Sequence, residues 1–230
     1  MTRILALALC LLLALTLGPA PSASAATVQL DGVTVALQPG TSQVITVNRT
    51  RSWHARVTFW RKTSAGWQAV LRSSNGRIGF GGLVVGTKRQ QGTGTTPLGS
   101  YRLLGSFGTH PRASGWDLAY RKIRPGDYWV EDNQSAYYNR YRNKSQGGFR
   151  WWLKSGENTS ERLADFPTQY EYAVNTAFNR EQVRHRGAGI FLHVNGRGAT
   201  AGCVSAPRAF LRSAMVRLDP ARVPVIAIGR

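Results

Sequence analysis

The chain has 230 residues, with 30 Lys and Arg against 11 Asp and Glu for a net charge of +19, 42% hydrophobic residues and two cysteines. That length supports one large domain or two small ones with a core that needs no disulfide framework, and the apolar content excludes a disordered polycation. The charge fits acidic wall polymers, nucleic acid or anionic lipid equally well. Arg outnumbers Lys 25 to 5, and its planar guanidinium binds carboxylate and phosphate through paired hydrogen bonds.

Residues 1–25 read as an export signal: Arg3 is the positive end, Ile4 to Leu17 the apolar stretch, and Ala23-Ser24-Ala25 the small-residue cleavage pattern. The apolar run is shorter than the roughly 20 residues needed to span a bilayer, so no transmembrane segment is expected after cleavage. Cutting after Ala25 removes Arg3, leaving +18, and removes Cys10, leaving Cys203 alone. A single cysteine in an exported protein is open to three readings: an inert buried thiol, an intermolecular disulfide, or a reactive nucleophile. His54, His110, His185 and His193 show no HExxH spacing, and one cysteine cannot make a zinc site of the CxxC type, so no metal is expected.

Residues 26–40 read as a loose N-terminal lead-in and 41–230 as one domain. From 43 to 71 the chain alternates, with Trp53, Ala55, Val57 and Phe59 on one side and His54, Arg56 and Thr58 on the other, which predicts a β-meander turning at Ser64-Ala65-Gly66. Short apolar segments at Leu83–Val85, Tyr101–Leu104, Tyr128–Val130 and Tyr170–Val174 predict further strands. The Gly/Ser/Asn-rich stretch from Asn143 to Gly148 reads as a flexible loop.

The last 45 residues carry the chemistry. Gly189 to Val194 is a buried strand by composition, with His193 near its end. The turn Asn195 to Gly202 leads to Cys203, Ser205 is placed as a helix N-cap, and Phe210, Leu211, Ala214, Met215 and Leu218 share one helical face. Val223 to Ile228 closes as a strand. A helix-end dipole stabilises an anion by about 0.3–1 kcal/mol, less than the roughly 1.4 kcal/mol of one pKa unit. A thiolate at Cys203 therefore needs a base, and His193 is the candidate. Gly202 allows close backbone approach, so that successive N–H groups can converge on an oxyanion.

The pair Gly189-Ile-Phe-Leu-His193-Val194 and Thr200-Ala-Gly-Cys203-Val-Ser205 resembles the signature of L,D-transpeptidases of the YkuD (ErfK/YbiS) family. Gly94-Thr-Thr-Pro97-Leu-Gly99-Ser-Tyr101 is similar to that family's Thr-Pro-x-Gly-x-aromatic element, and Tyr128 to Arg140 to a Trp-x-x-Asp…Tyr-Asn stretch of an actinobacterial-type branch. The chain departs from the common motif at Ala201, where many members carry a second His, and at Ser205, where they carry Arg or Asn. Arg197 and Arg208 are candidate substitutes.

The resemblance implies a mainly β fold: a β-sandwich with short helices, the cysteine at a turn preceding a helix. It implies Cys203 as nucleophile, His193 as general base and acid, the Gly202 N–H as oxyanion donor, and the Val194 carbonyl orienting the imidazole. Thr200, Ser205, Arg197, Tyr138 and Asp132 are the expected substrate contacts, with the Glu131 region a candidate for recognising an acceptor amine. No cofactor is implied. The expected partners are peptidoglycan stem peptides and acidic wall polymers rather than nucleic acid. Two other readings remain: a non-catalytic basic wall-binding protein, and a cysteine peptidase or amidase using the same two residues.

Overall fold

The structure, a computed structural model, describes residues 26–230; the expected export signal, with Cys10, lies outside the described residues. Residues 26–40, expected as a loose lead-in, instead hold an antiparallel hairpin of β1 (Thr27–Leu30) and β2 (Val33–Ala36). Its inward residues Leu30, Val33 and Val35 are buried against Val44, Val225 and Ala227, so apolar burial holds the hairpin.

The predicted meander is present as β3 (Gln43–Arg51), β4 (His54–Thr63) and β5 (Gly66–Arg77), paired antiparallel in sequence. Alternation assigns its faces. Ile45, Val47, Ala55, Val57 and Phe59 point into the main core, while Val44 points out beneath the hairpin. Next come β6 (Leu83–Val85) and the long β7 (Thr96–Gly108), then β8 (Tyr120–Lys122), β9 (Asp127–Trp129), β10 (Tyr141–Asn143) and β11 (Glu161–Arg162). The chain ends with β12 (Ala173–Thr176), β13 (Phe191–Val194), β14 (Val204–Ala206), helix α1 (Arg208–Arg217) and β15 (Val225–Gly229).

The large sheet runs β12-β13-β14-β5-β4-β3-β15-β7, and because β7 also pairs with β12 the circuit closes on itself. All eight strands contribute to one enclosed apolar core, which α1 completes with Phe210, Leu211, Ala214 and Met215. The fold is mainly β with one α-helix among the described residues. Leu211 is fully buried there. Leu211→Ala is expected to cost about 2–5 kcal/mol in urea unfolding while leaving turnover per folded molecule unchanged.

Three local expectations are corrected. Ser205 is not a helix N-cap: it lies in β14, paired with His193 and Arg77, and the helix begins after Pro207, with no side-chain cap. The strand pairing satisfies backbone groups that a helix start would leave open, so a strand separates the cysteine turn from the helix that follows it. Asn143 to Gly148 is ordered by a short 3-10 turn with an Asn143/Gln146 capping box. Tyr170 sits in a 3-10 turn rather than a strand, and the strand begins at Ala173.

Candidate active site

Strands β13 and β14 run parallel, with Leu192 opposite Val204 and His193 opposite Ser205. Parallel neighbours ordinarily need a crossover of about a dozen residues, whereas here residues 195–203 suffice because the loop is pinned along its length. Arg77 Nη1 donates to the carbonyls of Gly196 (2.5 Å) and Gly198 (3.1 Å), and Thr200 pairs through its backbone with Ile78 and Phe80. Period-two alternation then decides the chemistry. Leu192, Val194 and Val204 enter the main core, while Phe191 and Cys203 belong to a second, aromatic cluster with Tyr170 and Trp129; the His193 ring packs on the edge of Tyr170, 5.5 Å between centroids.

The turn before the thiol is tightly held. Gly202 has φ +137°, and a Cβ there would lie 2.8 Å from Arg89 Nη2 and 3.0 Å from the Thr95 carbonyl. The Thr200 hydroxyl donates to the Cys203 carbonyl at 2.6 Å and accepts the Gly202 N–H at 3.2 Å. Thr200 is thus a clamp on the turn, and the Gly202 N–H expected as an oxyanion donor is engaged by it. Thr96, from the Thr-Pro element, donates to the Gly202 carbonyl at 2.8 Å and accepts the Gly79 N–H.

Cys203 is 9% exposed and has no disulfide partner among the described residues. Its thiol donates to the Gly189 carbonyl at 3.0 Å, and its Sγ accepts the Phe191 N–H at 3.3 Å. No hydrogen bond joins it to His193. His193 Nδ1 lies 2.8 Å from the Val194 carbonyl; a carbonyl only accepts, so Nδ1 carries the proton and Nε2 of the neutral ring keeps its lone pair. Burial lowers the His193 pKa to about 4, against the pull of that hydrogen bond. Burial pushes the thiol up, with the nearby Glu161 charge adding to it and the Phe191 N–H and the Arg89 guanidinium opposing. The resting pair is therefore thiol and neutral imidazole.

Both groups line one cavity of about 220 Å³, together with Glu161, Tyr170, Thr200 and Arg197 at its rim. Larger clefts exist, one of about 770 Å³ beside Arg121 and Arg124, but they contain neither the thiol nor the imidazole. Of the other expected substrate contacts, only Arg197 and Thr200 reach the cavity. Ser205 is fully buried and donates to Asn195 Oδ1 at 2.7 Å. Asp132 is 1% exposed and locked to Arg150, whose Nη2 lies 2.5 Å from Oδ1. Tyr138 is fully buried, donating to Gln91 Oε1 and accepting the Gly187 N–H. Arg208 pairs with Glu171, and Glu131 does not line the cavity.

Several neighbours carry no sequence signal. Arg89 is 5% exposed and spends its donors on the Thr95 (2.7 Å) and Arg186 (3.1 Å) carbonyls, with no carboxylate partner among the described residues. Glu161 reaches the cavity because β11 pairs with β9, placing Glu161 opposite Trp129.

No curated protein matches the sequence. Two solved structures overlap 82% of the chain: Bdellovibrio bacteriovorus Bd1075, at 16% identity and TM-score 0.41, and Mycobacterium tuberculosis L,D-transpeptidase 1, at 10% identity and TM-score 0.36. The overlap spans 48% of the first of those chains and 62% of the second. The family model for the L,D-transpeptidase catalytic domain, YkuD, matches residues 42–225. That match runs from the first strand of the meander to the start of β15 and takes in both His193 and Cys203, so the chain belongs to the YkuD family of L,D-transpeptidase catalytic domains.

Proposed function

We propose that this protein is an exported cysteine acyltransferase that acts on peptidoglycan stem peptides. Family membership supports transpeptidase chemistry. The observation that carries the residue roles is the shared cavity lined by the Cys203 thiol, on the residue just before β14, and the His193 imidazole, on the parallel neighbour β13. The Val194 carbonyl holds the proton on Nδ1, leaving Nε2 as the base.

In this mechanism the thiol turns from the Gly189 carbonyl toward the cavity and gives its proton to His193 Nε2 as sulfur attacks the carbonyl before the terminal D-alanine. The Cys203 N–H, joined by the Gly202 N–H once it leaves the Thr200 hydroxyl, stabilises the oxyanion. Collapse of the intermediate breaks the C–N bond, and His193 returns the proton to the departing D-alanine amine. The amine of a second stem, or water, then attacks the thioester, loses its proton to His193 and regenerates the thiol. A wall-facing location is consistent with the expected signal at 1–25 and with the net charge of +18 after its removal.

The test is mass spectrometry of muropeptides incubated with the purified protein. D-alanine release with new cross-links or tripeptides is the expected result, and release of neither overturns the proposal. The pH profile checks the base. An imidazole with a pKa of about 4 stays neutral through the range where an ordinary histidine would protonate. The acid limb of kcat/KM is therefore expected near pH 4 and to vanish in His193→Ala, and a limb that persists unchanged in that variant would remove His193 from the role.

A further inference from the structure

We propose that Glu161 is the group in this cavity that receives a primary ammonium on the third residue of a stem peptide, an inference that rests on the function proposed above. Glu161 is the acidic side chain among those lining the cavity with Cys203 and His193. One carboxyl oxygen accepts the Tyr170 hydroxyl at 2.5 Å. The other has no hydrogen-bond partner, and no Lys or Arg pairs with Glu161 among the described residues, although the chain carries 30 such cations. Asp132, outside the cavity, is locked to Arg150, whereas Glu161 inside it is left open.

A negative charge here works against the nucleophile, since it opposes ionisation of Cys203. It is also costly in itself: burial raises the Glu161 pKa to about 7, so the group on its own is poised between carboxylic acid and carboxylate. A cation arriving with the substrate resolves both: it pairs with Glu161, and it removes the field that disfavours the thiolate. The cavity, about 220 Å³, has room for one side chain rather than a whole stem. Tyr170 serves as a positioning residue, its hydroxyl on Glu161 and its ring against His193. The ammonium has two possible sources, the donor stem and the acceptor stem, and these are separable by experiment.

The donor arm measures D-alanine release from two tetrapeptide stems that differ only in a free or an N-acetylated amine on the third side chain. The acceptor arm measures the KM of an added stem amine with the acetylated donor. Wild type is compared with Glu161→Gln, with thermal unfolding of each. The wild type is expected to favour the free-amine donor, or to bind the amine acceptor, by about tenfold over Glu161→Gln, chiefly in KM, as for a hydrogen-bonded charge pair. A donor effect assigns the ammonium to the donor and an acceptor effect to the acceptor. If Glu161→Gln changes neither, the assignment is overturned. Should that variant not fold, a wild type indifferent to the donor amine and not saturated by acceptor amine overturns it equally. A wild type that releases no D-alanine from either stem instead overturns the proposed function itself.

Discussion

Cys203→Ala is expected to abolish release of D-alanine from tetrapeptide stems, a loss of about 10⁴-fold or more for removal of a nucleophile, and to leave no covalent acyl-enzyme in intact-protein mass spectra. His193→Ala is expected to lose about 10²–10⁴-fold, the usual worth of a positioned general base. The base has nothing to deprotonate once the thiol is gone, so the double variant should be no worse than Cys203→Ala alone. A basic wall-binding protein without chemistry predicts the opposite outcome, full function in Cys203→Ala. A peptidase using the same pair would depend on Cys203 and release no D-alanine. Both substitutions leave the strand pairing intact, so near-unchanged unfolding temperatures are the control that separates lost chemistry from lost structure.

Gly202→Ala is expected to damage both folding and chemistry. Its φ of +137° lies where an L side chain is strained, and the added methyl would meet Arg89 and the Thr95 carbonyl at 3.0 Å or less. Strain of this kind costs about 1–3 kcal/mol, or about 2–12 °C in unfolding temperature for a domain of this size. The turn also sets the Cys203 N–H and the Thr200 clamp, so D-alanine release should fall by more than the loss of folded protein accounts for. Unfolding and activity equal to wild type would show that the backbone relaxes freely and that Gly202 has no special role.

The resting geometry gives a reason to expect a slow thiol. Cys203 is held by Gly189 and Phe191 rather than by His193, and its proton affinity is raised by burial and by Glu161. Iodoacetamide is therefore expected to label it at neutral pH more slowly than it labels a free thiol, and faster labelling would show that the thiol is already ionised.

Legibility differs from element to element. The meander was readable because half-buried strands alternate: Ala55, Val57 and Phe59 are all fully buried, as the pattern requires. The helical face of Phe210, Leu211, Ala214 and Met215 followed from its spacing. Ser205 was misplaced because an N-cap and a strand residue look alike when the partner strand is out of view; the backbone bonds offered by His193 and Arg77 decided between them. The lead-in was misread because Leu30, Val33 and Val35 are too few to suggest a packed element until the outer face of β3 and β15 is seen beneath them.

The sequence alone carried the mainly β character, the family and the expectation that one histidine works with one cysteine, since alternation, glycine turns and short motifs are local properties of the chain. Only the tertiary structure decided which acidic group stands beside that cysteine and which way the thiol rests. The sequence points to the region of Glu131, Asp132 and Tyr138, yet Asp132 is locked to Arg150 and neither Glu131 nor Tyr138 lines the cavity, whereas Glu161, without any motif, reaches it through its register opposite Trp129. Such placements depend on pairings between segments tens of residues apart, where a one-residue slip would turn every side chain to the other face.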